Sequence, residues 1–201
     1  MATNNREIQA HKEWLGFIQP IGVVVSPPAL IKAQAYVNRN VIEQQQALQG
    51  LVEEDDKGNL FLADFPAFVK DVLGWFPEDM VETGDALEVA LPEYEDVLSA
   101  TWAVVAPNMD RPVLLVQELP ATTDLDNAGS KERGWHASPQ ARMERLLREN
   151  RLDAGLLFNG TELRLVYAPR GETSGHLTFP FSFMVEVAGR QVFGAMLMLL
   201  E

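Results

Sequence analysis

The residues of this chain best suited to binding a polyanion are arginines grouped in one short segment. Six of the 16 Lys and Arg residues lie between Lys131 and Arg151, although the 201-residue chain carries a net charge of −13. Guanidinium groups in such a cluster can contact nucleic-acid phosphates with little dependence on base sequence. The candidate DNA-binding residues are Arg133, Arg142, Arg145 and Arg148. The alternative is that these arginines form a solvated helix face.

Charge is distributed unevenly along the chain. Residues 131–201 hold nine Lys/Arg and eight Asp/Glu, a net charge of +1, whereas residues 1–130 hold seven and 21, a net charge of −14. The acidic first part argues against a protein that binds nucleic acid over its whole surface. Any phosphate contact is therefore expected in the second part.

Other catalytic and metal-binding patterns are absent from the sequence. The chain has no cysteine, which excludes disulfides and thiolate metal sites and fits a reducing cytoplasm. His11, His136 and His176 lack the spacing of zinc ligands, and we predict that each is a surface or capping histidine. There is no phosphate-binding loop, no dinucleotide fingerprint and no adenine-methylase motif. No apolar run approaches the roughly 20 residues that span a bilayer, so we expect a cytoplasmic protein without membrane contact.

Local signals in the second part predict a helix followed by a hairpin. Ser138-Pro139 is a helix start, because the serine oxygen can cap free N–H groups and proline suits the first helical position. Apolar residues then recur at helical spacing up to about Asn150. Asn159-Gly160 predicts a two-residue turn between the apolar run 154–158 and the alternating residues 163–167.

The first third of the chain is predicted to be mainly helical, because its apolar residues recur with a period near 3.6. The predicted helices are 5–18, about 28–52 and about 65–75. From residue 86 the period shifts towards two. The predicted strands are 86–91, 98–106 and 112–119. The last of these is almost continuously apolar, as is typical of a strand at the centre of a sheet, and residues 169–180 are predicted to be an irregular connection.

These elements predict an α/β (α+β) fold. Residues 1–80 would form a mostly helical amino-terminal part, and residues 81–201 an α/β core that packs with it as one compact unit. In the core, the helix that begins at Ser138 would cross over from the central strand of a mixed sheet to the next strand. Residues 192–200 are strongly apolar, so we expect the start of a helix that continues and a chain that is a fragment of a longer protein.

A series of short motifs runs through this helix, the hairpin and the residues that follow. The motifs are Trp135, Ser138-Pro139, Arg142, Glu144-Arg145-Leu146-Leu147-Arg148, Gly155-Leu156-Leu157, Asn159-Gly160, Leu163-Arg164-Leu165 and Tyr167-Ala168-Pro169. In these motifs the chain resembles the amino-terminal region of large bacterial restriction-modification adenine DNA methylases, which include type IIG-like and DISARM-like enzymes. The resemblance implies a restriction-endonuclease-like module, similar to a degenerate PD-(D/E)xK nuclease, ahead of the methylase.

The resemblance also implies where a nuclease site would lie. In such a core two acidic residues hold Mg²⁺, and a lysine two positions after the second acid assists the attacking water. The first candidate acid is Asp96, or Glu95 beside it, and the second is Glu118. The lysine is missing, because Leu119 and Pro120 occupy its possible positions. Gln117 and Glu118 are neighbours in a strand, so only one of them can point into the site.

Three functions follow from these observations. The first is a non-catalytic, nuclease-like module that engages DNA phosphates or docks the other domains of a restriction-modification or phage-defence methylase. The second is a protein-interaction domain that docks through Phe179 to Phe183 and the last helix without binding DNA. The third is an active Mg²⁺-dependent endonuclease with Asp96 and Glu118 as catalytic residues. The resemblance implies that the parent is a site-specific DNA adenine methyltransferase, whose S-adenosylmethionine would bind outside these residues.

Overall fold

The computed structural model describes residues 2–107, 109–129 and 134–201 of the chain. Its helices are α1 (Ala2–Ile18), α2 (Pro27–Lys32), α3 (Ile42–Leu51), α4 (Phe65–Asp71), α5 (Pro139–Asn150), α6 (Phe181–Met184) and α7 (Arg190–Leu200). Its strands are β1 (Val52–Glu54), β2 (Leu60–Leu62), β3 (Met80–Glu82), β4 (Val89–Leu91), β5 (Asp96–Leu98), β6 (Trp102–Val104), β7 (Leu114–Glu118), β8 (Ala154–Phe158), β9 (Glu162–Tyr167) and β10 (Gly175–Pro180). The prediction of helices followed by a mixed sheet is confirmed. Within the described residues, no helix has the length and apolar character needed to cross a membrane.

Six strands form the central sheet, in the order β10-β9-β8-β7-β6-β3. β7 and β8 run parallel, with Val116 opposite Leu156, and the other neighbouring pairs are antiparallel. Helix α5 connects β7 to β8, since parallel neighbours need a crossover connection. The predicted crossover helix after the central strand is thus confirmed. Two short hairpins, β1-β2 and β4-β5, lie outside this sheet.

The sheet is buried on both faces. In β7, Leu114 and Val116 belong to one hydrophobic core and Leu115 to another, because successive strand residues point to opposite faces. Helices α1, α4 and α7 contribute to the first core, and α5 and the β4-β5 hairpin to the second. We call the two sides of the sheet the helical face and the α5 face. Residues from both predicted parts of the chain, such as Trp14 and Phe193, share the first core.

Helix α5 begins and ends as its sequence predicts. The Ser138 side chain accepts a hydrogen bond from the backbone N–H of Ala141 (3.2 Å), and Pro139 is the first helical residue. Arg151 ends the helix in a left-handed conformation with φ of 56°. Its apolar residues, Met143, Leu146 and Leu147, are buried on the α5 face of the sheet. A short amphipathic helix depends on this packing for most of its stability.

The β8-β9 hairpin also forms where Asn159-Gly160 predicts it. The Asn159 side-chain oxygen accepts hydrogen bonds from the backbone N–H groups of Thr161 (3.0 Å) and Glu162 (2.9 Å). Gly160 has φ of +79°, a conformation that favours glycine. Residues 159–161 connect the strands, so the connection is one residue longer than predicted.

The predicted helix over residues 28–52 is wrong. The chain forms two helices there, α2 and α3, separated by residues 33–41. This segment packs against α7: Val41 is fully buried, and an ideal Cβ on Gly194 would lie 2.7 Å from the backbone oxygen of Asn38. Contacts with a helix distant in sequence therefore outweigh the local helical spacing. The next predicted helix, 65–75, is shorter in the structure and ends at Asp71.

The prediction of an irregular connection over residues 169–180 is confirmed for residues 169–174 and wrong for the rest. Its second half is β10, which pairs antiparallel with β9 along its whole length. Leu177 and Phe179 are fully buried, while His176 and Thr178 point to the other face. This alternation is the usual signature of a strand. A single bridge between Ile21 and His176 covers part of the outer edge of β10.

The strands predicted over 86–91 and 98–106 are divided differently in the structure. β4 pairs with β5 instead of joining the central sheet. β6 begins only at Trp102, where it lies between β3 and β7. The β4-β5 hairpin thereby brings Asp96, the first residue of β5, against helix α5.

His11 is a buried residue and not the surface or capping histidine that the sequence predicts. It is fully buried on α1. The indole N–H of Trp14 donates to His11 Nδ1 (3.1 Å), and because an indole nitrogen can only donate, Nδ1 must be unprotonated. Nε2 then carries the hydrogen and donates to the backbone oxygen of Ala35 (3.1 Å). The neutral ring therefore ties α1 to the segment that follows α2.

We expect the free energy of unfolding to decrease as the pH is lowered from about 7 to about 5. Burial lowers the pKa of His11 and of His176, so the unfolded chain takes up protons at these positions before the folded chain does. The stabilisation that comes from keeping these two histidines neutral is complete above the ordinary histidine pKa of about 6.5, and it is lost as the pH falls towards the lowered pKa. Urea unfolding at both pH values should show a smaller decrease for His11→Gln, which does not titrate. The exposed His136→Gln is the control, and an unchanged pH dependence in His11→Gln would contradict the assignment.

Candidate functional site

The carboxylate of Asp96 is held by three hydrogen-bond donors. Arg142 Nη1 donates to Oδ2 (2.7 Å), as does the backbone N–H of Trp135 (3.1 Å), and the backbone N–H of Val97 donates to Oδ1 (2.9 Å). The guanidinium of Arg142, followed by the two backbone N–H groups, holds the pKa of Asp96 far below its usual range. Asp96 is therefore ionised and paired at every pH at which the protein would normally be studied.

Three separate parts of the chain bring these groups together. Asp96 begins β5, Arg142 lies in the first turns of α5, and residues 134–135 come just before that helix. Gly134 makes the approach possible: its φ is +96°, and an ideal Cβ on it would lie 2.9 Å from Asp96 Oδ2. Arg142 Nη1 also donates to the backbone oxygen of Trp135 (3.1 Å), which closes the cluster. We call this arrangement the Asp96 cluster.

A cavity of about 470 Å³ lies beside the Asp96 cluster. It is located between α5, the β5 strand and the carboxyl-terminal ends of β7 and β8. Its polar lining includes Asp96, Gln117 and Arg142. Its apolar lining includes Leu98, Leu119, Met143, Leu146 and Leu157.

The second candidate acid, Glu118, does not line this cavity. Gln117 and Leu119 line it, whereas the Glu118 carboxylate accepts a hydrogen bond from the indole of Trp102, which packs against the core of the helical face. The prediction that only one of residues 117 and 118 can point into a site is thus confirmed, and the residue that does so is Gln117. Asp96 and Glu118, the predicted catalytic pair, lie on opposite faces of the sheet.

The residues around the cavity do not fit the Mg²⁺ site of a nuclease. Mg²⁺ is held in proteins mainly by ionised carboxylates. Asp96 is already neutralised by Arg142, and the amide of Gln117 is uncharged. In the part of the chain that the structure describes, no three His, Asp or Glu side chains are grouped as a metal site requires.

The arginines predicted to bind DNA are close to carboxylates. Arg142 is bound to Asp96, Arg145 Nη2 lies 2.7 Å from Glu93 Oε1, and Arg148 Nη1 lies 3.6 Å from Glu144 Oε2. Arg133 lies outside the described residues. The pairs of Arg145 and Arg148 are partly exposed, and such ion pairs contribute only about 0–1 kcal/mol, so a phosphate could compete for these two guanidinium groups.

The aromatic ring of Trp135 is engaged in packing. The Tyr94 ring stacks on it, with centroids 5.8 Å apart and an interplanar angle of 26°, and the Arg145 guanidinium lies 5.2 Å from its centroid. Tyr94 lies between β4 and β5, and Arg145 lies in α5, so these contacts fasten the β4-β5 hairpin to the segment before α5 and to the helix itself. Trp135 is an anchor of the Asp96 cluster.

A second cluster surrounds Arg164 on β9 and was not predicted from the sequence. This arginine is buried, and its Nη1 and Nη2 donate to the two carboxylate oxygens of Asp126 (2.6 and 2.9 Å). Its Nε donates to Thr178 Oγ1 (2.9 Å). The burial of Arg164 could have been predicted, because Leu163-Arg164-Leu165 belongs to a strand that lies between buried strands. A buried arginine needs an acidic partner. The partner itself lies 38 residues away in the sequence.

The Arg164 cluster holds the loop before α5 in place. Leu125 is buried in the core of the α5 face, and its backbone oxygen accepts from the N–H of Gln140 (3.0 Å). Asn159 Nδ2 donates to the backbone oxygen of Thr123 (2.8 Å). Together with Asp126, these contacts fix the loop that forms one wall of the cavity.

Comparisons with protein-family models, with curated proteins and with solved structures found no match to this chain.

Proposed function

We propose that this chain is a non-catalytic, nuclease-like module of a restriction-modification or phage-defence DNA methylase. Its partners would be the other domains of that protein and, weakly, DNA phosphates. The observation that carries the proposal is the composition of the cavity beside the Asp96 cluster, which we call the Asp96 cavity. It has a carboxylate in the place of the first nuclease acid, but Gln117 replaces the second acid, Leu119 replaces the lysine, and Arg142 occupies the carboxylate.

The order of elements supports a restriction-endonuclease-like core. β6 and β7 are antiparallel, α5 crosses over from β7, and β8 lies parallel to β7. Asp96, Gln117 and Leu119 come from β5 and the end of β7 and line the same cavity, as the first acid, second acid and lysine of a nuclease would. A protein with this arrangement but without the second acid and the lysine would retain the shape of a nuclease and lack its chemistry.

Contact with DNA would involve Arg145 and Arg148, because Arg142 is committed to Asp96. Two phosphate contacts give a slope of about −1.8 for log K against log salt, so affinity should fall about tenfold between 50 and 200 mM salt. The partner carboxylates of both arginines weaken the contact further.

Fluorescence anisotropy with short duplex and single-stranded DNA, with Mg²⁺ present, tests this proposal. We expect weak binding that falls about tenfold from 50 to 200 mM salt, is lost in Arg145→Gln/Arg148→Gln, and leaves the DNA intact on a gel. The control is Arg170→Gln, an exposed arginine outside α5. Cleavage of the DNA, abolished by Asp96→Ala, would contradict the proposal and favour an active endonuclease.

A protein-interaction domain without DNA binding is the second candidate, favoured by the carboxylate partners of the α5 arginines. The docking surface predicted over Phe179 to Phe183 is wrong in part, because Phe179 and Phe181 are fully buried. Most of α7 is also buried, from Val192 to Leu197. The exposed apolar side chains lie elsewhere. Those near the end of α1 are Phe17, Ile21 and Val23.

Sedimentation velocity and fluorescence anisotropy distinguish this second candidate from the DNA-binding module. It predicts no DNA binding at about 50 mM salt, where phosphate contacts are strongest. It also predicts self-association through exposed apolar side chains, relieved by Ile21→Ser/Val23→Ser. A monomer that binds DNA in a salt-dependent way would contradict it.

A further inference from the structure

The Asp96 cavity lies where folds with parallel strands commonly bind small ligands. Its wall includes Gln117 and Leu157, near the carboxyl-terminal ends of the parallel strands β7 and β8, and Pro139, the first residue of α5. Crevices at such strand ends are frequent ligand sites. Its volume of about 470 Å³ falls within the range of small-molecule pockets.

Charged ligands do not fit the groups around this cavity. The first N–H groups of α5 are already used: Ala141 donates to the Ser138 side chain and Gln140 to the backbone oxygen of Leu125, while Pro139 has none. A phosphate would therefore find no free helix N-terminus. Among the described lining residues, the acidic and the basic side chain, Asp96 and Arg142, neutralise each other, so these residues favour neither an anion nor a cation.

One polar group of the cavity retains an unused acceptor. Gln117 Nε2 donates to Thr101 Oγ1 (3.3 Å) and to the backbone oxygen of Glu118 (2.9 Å). These bonds fix the amide, and no donor among the described residues contacts its Oε1. A ligand with one N–H group could satisfy this oxygen.

The remaining wall suits a flat ring. Leu119 and Pro139 line the cavity and are partly exposed, so they offer apolar surface, and the guanidinium of Arg142 is a group that packs well on aromatic faces. The ring of Trp135 already packs against Tyr94 and Arg145. It therefore forms part of the cavity wall, and the ligand is not expected to stack on it.

We propose that the Asp96 cavity binds a neutral heteroaromatic compound with an N–H donor, the chemical class of indole and of the purine and pyrimidine bases. The N–H group donates to Gln117 Oε1, and the ring lies against Leu119 and Pro139. Binding requires neither nuclease activity nor phosphate contacts, and it therefore stands or fails separately from the function proposed above.

Titration of the full chain with matched probes tests this site. Isothermal calorimetry and saturation-transfer NMR would measure the binding of indole, adenine and uracil at concentrations up to about 1 mM. We expect these compounds to bind with a Kd of about 1 mM or below. The matched probe 1-methylindole, which lacks the N–H donor, should bind about tenfold more weakly than indole, the loss expected for one hydrogen bond. Absence of binding by all three N–H compounds to folded protein would overturn the proposal.

The ligand could be a free compound or a base extruded from nucleic acid. Displacement of bound indole by a short duplex with an unpaired base, but not by a fully paired duplex, would identify nucleic acid as the source. Displacement by adenine or uracil alone would identify a free compound. Either result supports the assigned ligand class.

Two cavity variants and one control locate the binding. Gln117→Leu removes the acceptor and should weaken indole binding about tenfold, and Leu119→Trp should abolish binding by filling the cavity. Glu118→Gln, next to Gln117 but on the other face of the sheet, should leave binding unchanged. Circular dichroism melting confirms that each variant is folded. Indole binding that neither cavity variant weakens would overturn the proposal.

Discussion

Replacing Asp126 with alanine is expected to lower the free energy of unfolding by about 3 kcal/mol. The side chain of Arg164, its partner, is only 5% exposed and donates two hydrogen bonds to the carboxylate of Asp126. Without Asp126, the guanidinium would stay buried with the hydroxyl of Thr178 and with Glu162, which lies 4.0 Å away. A buried charge without a close partner is strongly destabilising.

The replacement of the other partner, Arg164→Met, should lower the free energy of unfolding by a smaller amount, about 1–2 kcal/mol. The Asp126 side chain is 59% exposed, so water can solvate its carboxylate when the arginine is absent. Urea unfolding at pH 7 measures both variants. Asp124→Ala, an exposed side chain of the same loop that accepts only local hydrogen bonds, is the control and should lower the stability less than either variant. An Arg164→Met variant that is less stable than Asp126→Ala would contradict this account.

The Arg164–Asp126 pair also contributes to acid unfolding. The Arg164 guanidinium holds the pKa of Asp126 below its ordinary value, so this stability is complete above the ordinary aspartate pKa of about 3.9 and is lost as the pH falls below it. Burial raises the pKa of Glu162, so its contribution has the opposite sign and weakens as the pH rises. Asp126→Ala should therefore reduce the loss of stability below about pH 4.

Replacing Asp96 with alanine is expected to lower the free energy of unfolding by about 2 kcal/mol. The change removes the partner of Arg142 and leaves the backbone N–H of Trp135 without its acceptor. Because the pKa of Asp96 is held far below its usual range, this stabilisation persists through neutral pH and is lost only as the pH falls below about 4. Thermal and urea unfolding at pH 7 measure the effect.

A double-mutant cycle with Arg142→Met separates the ion pair from other effects. The matched control is the pair Glu93–Arg145, which has the same N–O distance of 2.7 Å. Side-chain exposure differs: 17% for Asp96 and 20% for Arg142, against 48% for Glu93 and 32% for Arg145. We expect a coupling free energy of about 1.5 kcal/mol for the less exposed pair and a clearly smaller coupling for the control, whose charges are screened by solvent. Equal couplings would contradict the structural role given to Asp96.

Elements with strong local signals could be predicted from the sequence. The cap at Ser138, the turn at Asn159-Gly160 and the apolar run of β7 each depend on neighbouring residues, and each forms where predicted. β10 could also have been found, because Leu177 and Phe179 alternate with polar residues. Local sequence patterns were sufficient to predict an element wherever the local conformational preference and the final packing agree.

The misplaced elements were decided by contacts between distant residues. The break between α2 and α3 depends on packing of residues 33–41 against Gly194 of α7. His11 is buried because Trp14 and Ala35 provide a donor and an acceptor for its two ring nitrogens. A single sequence contains no direct record of such contacts.

The candidate site was predictable only in part. Alternation along β7 indicates that Gln117 and Glu118 face opposite sides, but the side that faces Asp96 depends on where the β4-β5 hairpin packs. The charge cluster around α5 is visible in the sequence. Two of the carboxylates that pair with it are not, because Asp96 and Glu93 lie 46 and 52 residues from their arginines.

The most direct test of this account is a Mn²⁺ titration of the wild-type protein, the Asp96→Asn variant and the Gln117→Glu/Arg142→Met variant, with free Mn²⁺ measured by electron paramagnetic resonance. If Asp96 is an ion-pair partner and not a metal ligand, the wild type and Asp96→Asn bind Mn²⁺ equally poorly. The double variant, which adds a carboxylate and removes the competing guanidinium, should gain affinity. Wild-type binding that is tighter than about 1 mM and lost in a folded Asp96→Asn protein would contradict the account.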